Sequence, residues 1–193
     1  MRDLVSAAFK QAADAAQAMA QDEQVIDAVV RAGDLLVEAL RRGNHVYSCG
    51  NGGSMSDAMH FAEELSGKFR SEREPLPALA ISDPAHLSCV ANDYGYDYVF
   101  SRFVEAHAQA GDVLLAISTS GKSPNVLKAA CAASAKGAKV IALTGRKDTT
   151  LEKLADITIA THMTGSPWSD RIQELHIKVI HTLIEICERQ LFP

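Results

Sequence analysis

Residues 45–54, His45-Val46-Tyr47-Ser48-Cys49-Gly50-Asn51-Gly52-Gly53-Ser54, decide how the chain is read. A short apolar run stops at a glycine-rich polar turn, and residues 54–65 then repeat their apolar positions every three or four residues. That pattern predicts a strand turning tightly into a helix. The same arrangement returns further on, where a strand at 113–117 is followed by Ser118-Thr119-Ser120-Gly121-Lys122-Ser123-Pro124 and a helix over 124–136.

Outward from these two units, apolar runs at 78–81, 139–144 and 157–160 complete a set of five strands, with helical stretches at 84–92 and 98–109 between them. Short buried strands alternating with helices predict βαβ units and a five-stranded parallel sheet flanked by helices, an α/β fold. Before the first strand, residues 2–42 are rich in Ala, Leu and Val, contain no Pro, and break only at Gln21-Asp22-Glu23. They predict two helices, the second ended by Gly43-Asn44. After a loop over 161–169 that contains Gly165 and Pro167, residues 170–191 read as one long, largely buried helix. At 193 residues the chain is expected to be a single domain over 1–193, with 1–42 as a helical extension packing on the core and on other subunits.

Composition narrows the function. A net charge of −5 opposes a broad basic face for nucleic acid, and requires that an anionic ligand be held by local donors. No apolar run reaches transmembrane length and the charged N-terminus does not resemble a signal peptide, so a cytoplasmic protein without membrane partners is expected. Cys49, Cys89, Cys131 and Cys187 form no C-x-x-C pair and are expected as reduced core thiols.

In an open parallel sheet, ligands bind beyond the carboxyl ends of the strands. The turns at 50–54 and 118–124 lie there. Glycines admit a close anion, helix N-termini offer free N–H groups, and hydroxyls add donors, so a phosphate is the expected ligand. Neither turn is G-x-x-x-x-G-K-[ST] or G-x-G-x-x-G, so no nucleotide is indicated. Plain βα turns with Ser54 and Ser123 as helix caps are the bland alternative. Asn92-Asp93 is either another edge of the pocket or a turn that ends a helix. On the helix leaving the first turn, His60 and Glu64 share a face while Glu63 turns away, so only one glutamate is expected to join His60. Arg171, Gln173, His176 and His181 place polar groups inside the apolar pattern of the last helix, where they need partners.

Taken together, C-G-N-G-G-S at 49–54, D-A-M-H-F-A-E-E-L-S-G at 57–67, N-D-Y-G at 92–95, S-T-S-G-K-S at 118–123 and R-I-Q-E-L-H-I-K-V-I-H at 171–181 resemble the sugar isomerase (SIS) family across nearly the whole chain. The resemblance implies a flavodoxin-like SIS sandwich and a homotetramer with active sites at subunit boundaries. It implies an aldose–ketose isomerase that converts D-sedoheptulose 7-phosphate to D-glycero-D-manno-heptose 7-phosphate through an enediol, the first step of ADP-heptose synthesis for lipopolysaccharide core. Substrate contacts would fall on Asn51, Gly52, Gly53, Glu64, Asn92, Asp93, Ser118, Thr119, Ser120, Ser123 and Gln173. The catalytic pair would be Glu64 and His181, and a zinc ion would take His60, Glu64, Gln173 and His181. Gln173 and His181 are eight residues apart, about 12 Å along a straight helix, which strains a shared ion. Two other readings keep the fold and the phosphate turns: a non-catalytic SIS adaptor that binds the replication initiator DnaA, and a sugar-phosphate sensor. Glu64 and His181 favour the enzyme.

Overall fold

The structure, a computed structural model, describes residues 1–162, 165 and 168–193; Pro167, expected in the loop before the last helix, lies outside the described residues. Five strands, β1 (Val46–Cys49), β2 (Ala78–Ala80), β3 (Val113–Ser118), β4 (Lys139–Thr144) and β5 (Ile157–Ala160), form one sheet in the order β2-β1-β3-β4-β5. Every pairing is parallel, with Val46 opposite both Ala78 and Val113, and Val113 opposite Lys139. All residues of β1 and β3 are buried, which is why both read as continuous runs rather than alternating ones.

Helices cover both faces. On one lie α2 (Glu23–Arg41), α3 (Gly53–Ser66) and α7 (Ser169–Leu191), whose Leu36, Phe61, Leu183 and Ile184 pack with Leu115 and Ile141 of the sheet. On the other lie α4 (Pro84–Tyr94), α5 (Ser101–His107) and α6 (Pro124–Ala135), packed around Val99, Phe100, Leu114 and Ala129. Thus α2 is an integral part of one core layer. The preceding helix, α1 (Arg2–Met19), buries only Ala15 and leaves Leu4, Val5 and Phe9 exposed.

Local signals account for the ends. Asp22 caps α2 by accepting from the Gln24 and Val25 N–H groups, and Gly43 at φ 77° lets its own N–H reach Leu40 and that of Asn44 reach Ala39. The helix expected over 98–109 is shorter: α5 begins only at Ser101, after a 3₁₀ turn at Tyr96–Tyr98, and it ends at His107 because Ala108 is extended and the Gln109 N–H turns to Asp112. The cysteines also depart from expectation. All four are free, but Cys89 and Cys131 lie on the solvent sides of α4 and α6, leaving Cys49 and Cys187 in the core. Among the described residues, no helix is long and apolar enough to cross a membrane.

Candidate active site

The strand order reverses direction between β1 and β3, and the two polar turns emerge side by side at that point. Their side chains lock them together. Asn51 and Asn125 exchange amide hydrogen bonds of 2.9 and 2.8 Å, and the Tyr96 hydroxyl donates to Asn51 Oδ1 at 3.2 Å. Inside the second turn, Ser118 Oγ lies 3.1 Å from Ser123 Oγ and accepts from the Gly121 N–H, while Ser120 Oγ accepts from the Lys122 N–H. Gly121 adopts φ 64° and a Cβ there would sit 2.4 Å from Thr149, so this bend requires glycine. Ser123 stands at the N-cap of α6 without capping it, and Gly52 rather than Ser54 precedes α3. Of the second turn's hydroxyls, those of Ser118 and Ser123 thus meet where α6 begins, next to helix N–H groups that suit an anion.

The second constellation lies further along α3. His60 Nε2 is 3.2 Å from Glu64 Oε1 and 3.3 Å from His181 Nε2 on α7, and the two imidazoles meet edge to face with centroids 5.0 Å apart. Phe69 closes one side of His181. Burial, with help from His60, holds the His181 imidazole below its usual pKa; Glu64 pulls it upward, and Lys178 and Arg70 push it down. Donor atoms of His60, Glu63 and Glu64 lie within 4.8 Å of one another. That corrects the expectation that Glu63 would be excluded: positions three and four residues on are both neighbours of His60, and a glutamate spans the remaining angle.

The structure thus brings His60, Glu64 and His181 into one cluster, and Asn51, Ser118 and Ser123 into the paired turns. Gln173 belongs to the second group: a Cβ on Gly53 would lie 2.5 Å from its side-chain amide. Thr119 Oγ1 is 3.3 Å from Ser169 Oγ at the start of α7. Asn92 and Asp93 end α4, where they bond to each other at 2.7 Å; among the described residues no hydrogen bond ties them to either turn. Two features escaped sequence reasoning. Asn125 follows a helix-opening proline, the one signal that could have marked it. Asp57, one turn before His60, is buried with Oδ2 unpartnered, and burial pushes its carboxyl up to about 6 against the pull of His60.

Comparison with known proteins accords with this geometry. The SIS domain pattern matches residues 8–145, and the chain belongs to the SIS domain family. Within that family it stands with the phosphoheptose isomerases. It is 54% identical to the phosphoheptose isomerase of Yersinia pestis (strain Pestoides F) over 189 residues, covering 98% of this chain and 97% of that one. The solved structure of phosphoheptose isomerase GmhA from Neisseria gonorrhoeae superposes with a TM-score of 0.89 at 36% identity, covering 97% of this chain and 98% of that one. A phosphoheptose isomerase from Francisella tularensis gives the same TM-score at 34% identity, with 97% of each chain covered.

Proposed function

We propose that the protein interconverts D-sedoheptulose 7-phosphate and D-glycero-D-manno-heptose 7-phosphate, acting in the cytoplasm at the entry to ADP-heptose synthesis for lipopolysaccharide core. The observation that carries this reading is the convergence of His60 and Glu64 with His181, from two helices, on the same α3 whose N-terminal end joins the anion-suited pair of turns after β1 and β3. Ser118, Thr119, Ser120 and Ser123 bind the phosphate, Asn51, Gly52 and Gly53 line the sugar, and Asn92 and Asp93 close its far edge. Glu64 removes the proton from C1 or C2 and returns it to the neighbouring carbon. His181, kept neutral by its surroundings, carries the matching proton between the two oxygens, so the ketose becomes an aldose through an enediol.

The donor set suits zinc. Ligands at about 2.0–2.1 Å in a tetrahedron lie roughly 3.3 Å apart, and the His60 to Glu64 and His60 to His181 separations are 3.2 and 3.3 Å. His60, Glu64 and His181 would hold the ion, with the second carboxylate oxygen of Glu64 and the second ring nitrogen of His181 left for the proton transfers, and when bound it would polarise the sugar carbonyl.

One dimension points to assembly. From Gly53 to Glu64 α3 rises about 16 Å, longer than an extended seven-carbon phosphate ester, and Gln173 stays at the Gly53 end. A homotetramer in which the turns and Gln173 of one copy face the His60–Glu64–His181 cluster of another would let one substrate reach both. The exposed Leu4, Val5 and Phe9 of α1, and an apolar groove of about 300 Å³ lined by Met19, Ile26, Val30 and Ile186, provide surfaces for it.

The test is conversion of sedoheptulose 7-phosphate by purified protein. Turnover is expected to stop on chelation and return with zinc. Full activity in metal-free protein would remove the ion from the mechanism, and no conversion under any metal condition would overturn the reading.

A further inference from the structure

Between α3 and β2 the chain runs through residues 67–77 without regular structure, and one side chain there is more buried than any site residue in the cluster. The Arg73 side chain is 1% exposed. Its guanidinium donates to the Glu64 carbonyl at 2.7 Å and to the Leu65 carbonyl at 2.9 Å, satisfying orphan acceptors of the last turn of α3. Its Nε faces Glu188 Oε1 of α7 at 3.3 Å, without the alignment of a hydrogen bond, and the Phe192 ring lies beneath it at 5.8 Å. Glu188 also accepts from the Arg70 and Ser71 N–H groups at 3.4 and 3.3 Å.

These contacts add to two other close approaches between α3 and α7. One is Gly53 against Gln173, the other His60 against His181, and the added link runs from Glu64 through Arg73 to Glu188. Glu188 follows His181 by seven residues, two turns along the same face. Arg73 therefore grips the backbone of Glu64 with one edge of its fork and the helix of His181 with the other. An arginine suits this task because its donors are planar and rigid.

We propose that Arg73, paired with Glu188, is a positioning residue of the isomerase: it fixes the separation between the Glu64 carboxylate and the His181 imidazole. The proposal rests on the catalytic roles given to those two residues above. A loose geometry of about 1 Å at such a pair costs on the order of 10²-fold in rate, while the phosphate turns, two to three helical turns away, stay as they are.

The test compares steady-state turnover of sedoheptulose 7-phosphate, melting temperature and zinc content in Arg73→Lys, in Arg73→Met/Glu188→Leu, and in Glu64→Gln. The double variant leaves no buried charge unpaired. The expected result is a kcat lowered by about tenfold or more, with KM within about twofold, in Arg73→Lys and in the double variant, the latter melting lower because the Glu64 carbonyl and the Arg70 and Ser71 N–H groups lose their partners. A folded Arg73→Lys with wild-type kcat overturns the proposal even if the double variant does not fold. So does a KM rise at constant kcat, since the tie would then act on binding. If Glu64→Gln is inactive while the Arg73 variants run at full rate, only the positioning role fails. If Glu64→Gln keeps full turnover, the acid–base reading fails and the positioning role falls with it.

Discussion

The two ends of α3 solve different problems with different chemistry. At its N-terminal end, the turns after β1 and β3 use neutral amides, hydroxyls and backbone N–H groups tied to one another by short hydrogen bonds. At its C-terminal end, His60, Glu64 and His181 are titratable, half-buried and held by packing between helices. Neutral donors hold a phosphate without changing protonation state, in a protein whose net charge of −5 offers no general attraction for anions. Groups that must exchange protons near neutral pH need a neighbour that can shift them. The contrast implies that damage at the two ends should appear in different kinetic constants.

The largest expected effect is at the cluster. Glu64→Gln keeps the size and hydrogen-bonding of the side chain but not its basicity, and kcat is expected to fall by about 10²–10⁴-fold, with sedoheptulose 7-phosphate still bound by calorimetry. Loss of binding with the rate constant intact would reverse the assignment of the two ends. An equally large loss is expected from Ser120→Asp, which sets a carboxylate in the phosphate turn, but here the lost quantity is affinity. If one site draws its two ends from different copies, an unfolded and refolded equimolar mixture of Glu64→Gln and Ser120→Asp chains regains activity that neither has alone. A mixture as inactive as its parts would place both ends of each site within one chain.

A smaller effect is expected from Ser123→Ala. Removing one hydroxyl from a charged ligand costs about 1.5–3 kcal/mol, read as a KM higher by roughly tenfold to a hundredfold with kcat near that of the unmodified protein. A change confined to kcat would show that this hydroxyl does not touch the phosphate.

The same contrast explains what could be read in the sequence. The turns were legible because their chemistry is contiguous: Gly50–Gly53 and Ser118–Ser123 each carry their own glycines, hydroxyls and helix start, and the buried strands that present them are continuous apolar runs. His60 and Glu64 were legible as a pair because four residues make one helical turn. The contact between His60 and His181 spans 121 positions and depends on how α3 packs on α7, so no spacing could give it and only the family resemblance suggested it. Arg73 gave no signal because the segment around it has no period, and its partners are two backbone carbonyls and a glutamate 115 residues away. Glu63 lies off the face that a helical wheel draws for His60, yet its long side chain reaches across the gap.

The smallest effect is a cancellation, and it tests whether buried titratable groups on α3 and α7 behave as their surroundings require. His176 is fully buried on α7; burial pushes its imidazole down to about 4, and the Thr144 backbone only partly offsets this. Its unfolded pKa is near 6.5, so between about 6.5 and 4 the unfolded chain binds more protons, and stability present above that window is lost as pH falls through it. Asp57 has the opposite sign. Its folded pKa is raised to about 6 from 3.8, so the folded chain binds more protons between those values, and its stabilising contribution grows as pH falls through 6. From pH 7 to pH 5 the two oppose each other, and the melting temperature of the metal-free protein should change little on their account. Asp57→Asn removes one arm and should leave an acid-sensitive protein, with His176 alone costing on the order of 2 kcal/mol by pH 5. His176→Gln removes the other, so its melting temperature should hold or rise over the same interval. Parallel melting curves for the two variants between pH 7 and 5 would mean that the two side chains are not held in the opposed environments in which they lie.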